Sequence, residues 1–391
     1  MRCPPLRVRR LLARRLIVAV LCVASVAVPA RGIDRVVLRK DQREQQVAGR
    51  VLVTAEDGGL LLISADGVLW TVPPEELVSH DEDDVKFKPL SPAALAARLT
   101  DELPAGFDIH TTKHYLIAYN TSKAYAQWCG ALFERLYGAF TNYWTRQGFT
   151  LHAPEFPLVA VVFADQESYG RFSQAELGDA AGSIIGYYSL ASNRMTMYDL
   201  TGVQTLRAPG DRRGSPTEIN QMLSRPDAER TVATIIHEAT HQIAFNCGLQ
   251  TRYADIPLWI SEGIAVYFET PDLSSRNGWG NFGAINLMRL TAFREFFERR
   301  PADSLRTLIA DDARFRDPKL AIDAYAEAWA LNYFLIHQKP KQYRAYLQML
   351  AEKKQLIWDE PATRLAEFTA AFGDPATLDT EFQRYMGKLL R

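Results

Sequence analysis

The sequence has 391 residues, of which 47% are hydrophobic and 23% are charged. This composition is that of a globular protein and excludes disordered, collagen-like and low-complexity chains. The formal net charge is −1, but residues 1–30 contain six arginines and no acidic residue, so the rest of the chain carries a net charge of −7. An acidic chain binds polyanions poorly, and we therefore expect no nucleic-acid partner.

Residues 1–30 have the pattern of a secretory signal peptide. Arginines precede an apolar run from Leu16 to Val28, and Val28-Pro29-Ala30 offers small residues for cleavage. A retained N-terminal membrane anchor is the alternative, but the run is shorter than the roughly 20 residues that a spanning helix needs. We predict export to the periplasm or the extracellular space, with no membrane association after cleavage.

Cleavage of this segment removes two of the four cysteines in the chain. The remaining pair is Cys129 and Cys247. In an oxidising compartment such a pair forms either one disulfide or two buried thiols, and the sequence leaves both possibilities open.

Residues 31–80 contain short β-rich runs separated by turn signals. Asp57-Gly58-Gly59 and Asp66-Gly67 lie between these runs, and an acidic residue followed by glycine is typical of a tight hairpin. The spacing resembles a small antiparallel barrel of the SH3-like kind. The following segment, residues 81–105, is charged and contains prolines, which predicts a linker. We therefore expect the barrel to be separable from the rest of the chain.

Residues 106–275 have an α/β pattern, and residues 276–391 have helical periodicity. The predicted elements of the first region are a strand over His114–Tyr119, a helix from Thr121 or Ser122 to about Arg146, a strand over Leu158–Phe163 and a hairpin over Ile184–Tyr198. Polar residues 201–227 predict a loop. The pattern therefore indicates an α/β domain followed by a helical C-terminal lobe.

A mostly apolar helix near residue 240 carries two histidines and a glutamate. His237 and His241 are four residues apart, so both imidazoles project from one face and can share one metal ion. Glu238 lies about 100° around the helix, where it can reach a metal-bound water without being a ligand. This is the H-E-x-x-H arrangement of zinc hydrolases, in which the carboxylate is the general base.

A second helical segment contains a third candidate ligand. Glu262 lies 21 residues beyond His241, which is enough for the first helix to end and the second to return antiparallel. Two histidines and one carboxylate leave the fourth position of a tetrahedral zinc site open to water. Glu269 lies on the same helix face as Glu262; it either accepts a proton from a ligand imidazole and fixes its tautomer, or is a surface residue.

Together, the segments His237-Glu238-Ala-Thr-His241 and Trp259-Ile-Ser-Glu262-Gly263-Ile-Ala-Val-Tyr267-Phe-Glu269 resemble the gluzincin zinc metallopeptidases. The second is similar to the W-x-x-E-G-x-A-x-Y-x-E pattern of the M1-type aminopeptidase group. The resemblance implies an α+β, thermolysin-like peptidase domain with a helical C-terminal lobe, with Zn²⁺ bound by His237, His241 and Glu262. It also implies that a peptide or protein substrate aligns along an edge strand, which we assign to Ile184–Tyr198.

A metzincin-like ligand set is the rival interpretation. Metzincins place glycine three residues and histidine six residues after the second histidine of the motif, and this chain has Ala244 and Cys247 there. Cys247 is therefore the alternative third ligand.

The gluzincin resemblance further implies a hydrogen-bond donor for the oxyanion of the tetrahedral intermediate. Tyr325, 63 residues after Glu262, begins a segment similar to that of the M1-type group and is the predicted donor. A tyrosine packed in the core is the other interpretation of this residue. His337, 12 residues further along, is the alternative donor.

These features predict an exported zinc-dependent peptidase with Glu238 as general base. Two other functions stay open: a non-catalytic, zinc-bound scaffold whose N-terminal barrel binds a partner, and a zinc hydrolase of non-peptide amides. The sequence does not specify the natural substrate, the choice between exo- and endo-cleavage, or the oligomeric state.

Overall fold

A computed structural model describes residues 32–202, 215–225, 228–270 and 283–391. The signal peptide predicted over residues 1–30 lies outside these ranges. The described chain is a mixed α+β structure whose two sheets lie between Asp34 and Tyr198, with helices among and after their strands. Within the described ranges, none of the helices combines the length and the apolar character needed to cross a bilayer.

The first sheet is antiparallel and has the strand order β4-β3-β2-β1-β5. Its strands are β1 (Asp34–Lys40), β2 (Arg43–Thr54), β3 (Leu60–Ser64), β4 (Leu69–Val72) and β5 (Leu77–Glu82). The predicted hairpin turns are present, with φ of 92° at Gly58 and 84° at Gly67. Strands β4 and β5 are the two edges of this sheet, so the described pairing does not show the closed SH3-like barrel that we predicted.

The segment predicted as a linker, residues 81–105, belongs to the folded core instead. It contains the end of β5 and the helix α1 (Pro92–Glu102), in which Leu95 and Leu99 are fully buried. The prolines that suggested a linker include the first residue of this helix, where proline is well tolerated.

The first sheet also packs against the rest of the protein rather than standing apart. All five residues of β3 are buried, so this strand is covered on both faces, whereas a strand with one solvated face alternates. One of its two apolar clusters includes Phe156, Tyr253 and Leu356 from distant parts of the chain. The first sheet therefore shares an apolar cluster with the rest of the described chain, and its separability stays a prediction.

The second sheet has the strand order β6-β7-β8-β10-β9. Its strands are β6 (Asp108–Thr111), β7 (Tyr115–Tyr119), β8 (Leu158–Phe163), β9 (Gly186–Tyr188) and β10 (Arg194–Tyr198). Strands β7, β8 and β10 are parallel, and β9 pairs antiparallel with β10 as the predicted hairpin. Strand β9 is an edge of this sheet, next to the helix that carries the H-E-x-x-H motif.

Helices cover this sheet and form the C-terminal lobe, as predicted. They are α2 (Lys123–Arg146), α3 (Gln166–Leu177), α4 (Pro216–Leu223), α5 (Glu229–Asn246), α6 (Leu258–Phe268), α7 (Leu287–Phe297), α8 (Ser304–Ala310), α9 (Ala313–Arg316), α10 (Ala321–Gln338), α11 (Pro340–Ala351), α12 (Pro361–Phe372) and α13 (Pro375–Leu389). The loop predicted over 201–227 lies partly outside the described residues, and its described part includes α4. Ser122 caps α2 by accepting the N–H of Tyr125.

Both remaining cysteines are buried free thiols. Cys129 lies on α2 and Cys247 follows α5. Burial raises the pKa of the Cys247 thiol to about 12, so this thiol is neutral at physiological pH. Of the two possibilities that the sequence left open, the structure has the buried thiols.

Candidate metal centre

Two buried helices bring the predicted ligands together. Helix α5 ends at Asn246, and Gly248 just beyond it has a φ of 84° that lets the chain turn back. After Pro257 the chain forms α6, whose first N–H, that of Leu258, donates to Asp312. Helix α6 packs against both α5 and α10. Glu262 is therefore presented to His237 and His241 from a neighbouring helix.

The three candidate ligand atoms converge on one point. The Nε2 atom of His237 lies 3.1 Å from the Nε2 atom of His241 and 3.0 Å from Oε2 of Glu262. The distance between His241 Nε2 and Glu262 Oε1 is 3.5 Å. Zinc bonds of about 2.0–2.1 Å at tetrahedral angles separate ligand atoms by about 3.3 Å. The donor set and its spacing thus fit a metal ion, as the grouping of these three side chains also indicates.

A second carboxylate orients His237. Oε1 of Glu269 lies 2.7 Å from Nδ1 of His237, which leaves Nε2 directed to the ligand cluster. Glu269 is 5% exposed and also accepts the side-chain N–H of Asn286 at 3.2 Å. Burial raises the pKa of Glu269, but the hydrogen bond from His237 and the charge of Arg289 outweigh it, so the pKa lies below its usual value. Glu269 is therefore an ionised acceptor and not a surface residue.

The other histidine has a weaker partner that we did not predict. Nδ1 of His241 lies 3.4 Å from Oγ of Ser261, and this hydroxyl donates to Oε1 of Gln250 at 3.2 Å. Ser261 directly precedes Glu262 in the sequence, so its place on α6 follows from the motif. No sequence pattern predicts that Gln250, Asn286 or Arg289 lies close to the candidate ligands or to Glu269.

Glu238 lies beside the ligand cluster without belonging to it. Its Oε2 atom accepts the main-chain N–H of Tyr188 on β9 at 2.8 Å. Burial raises the pKa of Glu238, and His237 and His241 oppose this rise only in part. The residue is thus a carboxylate held by the edge strand, with an increased affinity for a proton.

Tyr325 faces the same space, whereas the two rival residues lie elsewhere. The negative charge of Glu262 and burial raise the pKa of Tyr325, so its hydroxyl stays protonated and can donate. His337 lies near the end of α10, where its Nδ1–H donates to the carbonyl of Tyr333 at 2.7 Å. Cys247 is not among the converging ligands of the described residues, and its thiol lies next to Tyr137.

These side chains share a cleft of about 730 Å³. Its polar lining includes the ligand cluster, Glu238 and Tyr325, and its apolar lining includes Tyr188, Leu190 and Phe245. The lining also includes charged groups and an exposed tryptophan: Asp311, Asp312, Arg316, Asp359 and Trp358. The cleft is large enough for an extended segment of several residues.

Residues 231–357 match a protein family whose description is "Protein of unknown function (DUF1570)". This match spans about a third of the chain and includes the three candidate ligands, Glu238, Glu269 and Tyr325. No curated protein matches the sequence. The chain is therefore similar, through the segment that carries the candidate metal centre, to a family whose activity is not known.

Proposed function

We propose that this protein is a zinc-dependent peptidase of the gluzincin type, with a thermolysin-like arrangement of its active-site helices. The observation that carries the proposal is the convergence of His237, His241 and Glu262 beside a carboxylate that is not a ligand, Glu238. A structural metal site gains nothing from such an additional carboxylate, which loses part of its hydration in this half-buried position. A hydrolytic site requires it as a base.

The residues of the cleft have separate roles in the proposed hydrolysis. When bound, Zn²⁺ lowers the pKa of a coordinated water to about 7 and polarises the scissile carbonyl. His237, His241 and Glu262 would hold the ion, and Glu238 accepts a proton from the attacking water as the oxygen of that water bonds to the carbonyl carbon. Glu238 then returns the proton to the leaving nitrogen as the C–N bond breaks, so the carboxylate is regenerated.

Tyr325 supplies the donor for the negative charge that develops on the carbonyl oxygen. Its hydroxyl stays protonated beside Glu262, and it lines the same cleft as Glu238. A preorganised O–H donor stabilises an oxyanion without reorganisation during the reaction. We assign this role to Tyr325 rather than His337.

The edge strand β9 supports a peptide as the substrate. Among the strands that the structure describes, β9 pairs only with β10, and the N–H of Tyr188 faces the cleft, where it binds Glu238. An extended peptide can add to such an edge through main-chain hydrogen bonds, whatever its side chains. The pattern of residues 1–30 supports action after export, on peptides or proteins outside the cytoplasm.

Metal analysis combined with a peptidase assay tests this proposal. We expect about one zinc ion per chain and cleavage of casein or of a peptide library by the wild-type protein. Glu238→Gln is expected to retain zinc and lose several orders of magnitude in kcat, because only proton transfer is removed. Glu229→Gln, at an exposed position at the start of α5, is the matched control and keeps both properties.

Three results contradict the proposal in different ways. If the protein binds no metal, the proposed metal centre is wrong. Zinc binding without hydrolysis of any amide favours the scaffold, and hydrolysis of non-peptide amides alone favours the third function that the sequence left open. A fully active Glu238→Gln variant shows that another group is the base.

A further inference from the structure

The turn that joins β9 to β10, residues 189–193, is held from its inner side by the helix of the H-E-x-x-H motif. Nε2 of Gln242 donates to the carbonyl of Asn193 at 3.0 Å. Asn246 and Asn193 exchange two side-chain hydrogen bonds, of 2.9 and 2.7 Å. Asn193 has a φ of 62° and is 4% exposed, so this turn has a specific backbone conformation in which the side-chain oxygen and nitrogen of Asn193 are both hydrogen-bonded.

The N-terminal sheet holds the same turn from its outer side. The main-chain N–H of Leu69 donates to the carbonyl of Ala191 at 2.8 Å. Arg252 is 7% exposed, and one of its terminal nitrogens donates both to the carbonyl of Gly67 at 3.0 Å and to that of Leu190 at 3.1 Å. A single buried guanidinium therefore joins residues 64–69, which we call the Asp66 turn, to the β9–β10 turn.

A buried carboxylate strengthens this contact. Asp66 forms ion pairs with Arg98 at 3.1 Å and with Arg194, the first residue of β10, at 3.9 Å. Arg194 also pairs with Glu102 of α1 at 2.8 Å. Because the Asp66 side chain is completely buried, these charges are screened far less than charges on the surface.

These contacts end beside the proposed base. Tyr188, whose N–H binds Glu238, immediately precedes the turn that the Asp66 turn and Arg252 hold. A shift of this edge strand would move the N–H that orients the carboxylate, and small misplacements of catalytic groups cost large factors in rate. The N-terminal sheet is thus connected to Glu238 through the hydrogen bonds of Arg252 to Gly67 and Leu190 and through the N–H of Tyr188.

We infer that the N-terminal sheet helps to position the proposed base. Arg252 and Asp66 are the positioning residues: they hold the β9–β10 hairpin, and with it the N–H of Tyr188 that binds Glu238. The consequence for turnover rests on the proposed function. The consequence for the hairpin does not, because the hydrogen bonds of its amides can be measured without any substrate.

Hydrogen–deuterium exchange and steady-state kinetics of Arg252→Met test this inference on the full chain. We expect amides of residues 186–193 to exchange at least about tenfold faster, since local opening becomes easier when the turn loses its outer contacts. On a peptide substrate, kcat falls about tenfold while KM changes less than about twofold, because the base is misplaced and the cleft is retained. Arg252→Lys, which keeps the charge and one donor group, restores part of both losses.

Arg50→Met is the matched control. Arg50 also connects the N-terminal sheet to the rest of the chain, through an ion pair with Glu155 at 2.9 Å and a contact with the Phe87 ring at 4.9 Å. These partners lie outside the hairpin, so exchange over 186–193 and kcat are expected to stay at their wild-type values. If Arg252→Met does not fold, Asp66→Asn removes the charge on the other side of the contact and is expected to accelerate the same amides.

Unchanged exchange over 186–193 in Arg252→Met, or in Asp66→Asn where that variant is used, overturns the inference. An equal acceleration in Arg50→Met also overturns it, because the effect is then one of general destabilisation. If no peptide is cleaved by the wild-type protein, the proposed function fails and the exchange measurement still decides the role of Arg252.

Discussion

Glu269 contacts the candidate metal ligand His237 from the side opposite to the cluster, with 2.7 Å between Oε1 and Nδ1. This hydrogen bond fixes the tautomer of the imidazole and increases its basicity. Glu269→Gln is expected to lower zinc affinity about tenfold to a hundredfold, the usual range for loss of such a partner. Competition titration with a chelator measures the change, and Glu229→Gln should leave the affinity unaltered. Wild-type affinity in Glu269→Gln would mean that the contact does not tune the ligand.

The identity of the third ligand is tested by a pair of substitutions. Glu262→Ala is expected to abolish stoichiometric zinc, because two histidines alone leave the ion with too few protein ligands. Cys247→Ser is expected to keep one zinc per chain, since the Cys247 thiol lies by Tyr137 and not in the ligand cluster. Elemental analysis of dialysed protein distinguishes these outcomes. Retention of zinc in Glu262→Ala with loss in Cys247→Ser would establish the metzincin-like set instead.

Gly263, next to the candidate ligand Glu262, has a structural role that its motif does not reveal. A Cβ atom at this position would lie 1.8 Å from Nδ2 of Asn332 and 2.9 Å from the carbonyl oxygen of Ala328 on α10. Asn332 cannot move easily, because its Nδ2 donates to the carbonyls of Trp259 and Ala328 at 2.8 Å each. Glycine at this position thus permits the close approach of α6 and α10.

Gly263→Ala is therefore expected to lower the free energy of unfolding by about 1–3 kcal/mol, the typical cost of overpacking a core. Gly138→Ala in α2 is the control, because nothing lies within 4 Å of the added methyl group. There alanine is expected to be neutral or to stabilise by about 0.5–1 kcal/mol through its higher helix propensity. Chemical denaturation of both variants measures the difference. Equal stability of the two would contradict the packing explanation.

The candidate ligands were predictable because their geometry follows from local rules. Residues four apart in a helix share a face, so the side chains of His237 and His241 lie close together whatever the position of that helix in the fold. For the same reason, the seven-residue spacing of the second motif predicted that Glu262 and Glu269 lie on one face of α6. The parts we missed depend on contacts between distant segments. Arg252 reaches the carbonyl of Gly67, 185 residues earlier, and no periodicity signals such a hydrogen bond.

The N-terminal region shows how local signals mislead. Acidic-glycine turns correctly predicted hairpins, but they do not say whether the sheet closes or what covers it. The apolar run Leu60–Ile63 is continuous rather than alternating, which is the signature of a strand buried on both faces. Likewise, the charges and prolines of residues 81–105 led us to predict a linker where the structure has α1. The signal that we overlooked is the pair of buried leucines of this helix, which are four residues apart on one face.

Tyr325→Phe tests the oxyanion donor. The substitution removes one hydroxyl and keeps the ring, which packs edge-on against Phe315 and lies under the guanidinium of Arg289. We expect zinc content and KM to stay near wild type while kcat falls about 10²–10³-fold, the scale of losing one oxyanion donor. His337→Ala is the comparison, because His337 donates to the carbonyl of Tyr333 and, in the described part of the chain, is not among the cleft-lining residues.

A near-normal kcat is therefore expected for His337→Ala, with any loss appearing in thermal stability. If Tyr325→Phe is as fast as the wild-type protein while His337→Ala is slow, the helical lobe moves on substrate binding and His337 is the donor. If both variants are fast, the oxyanion is stabilised by the metal and main-chain groups, and Tyr325 is a core residue whose hydroxyl happens to face Glu262. Zinc content measured on the same samples ensures that a slow variant is not merely one that has lost its metal.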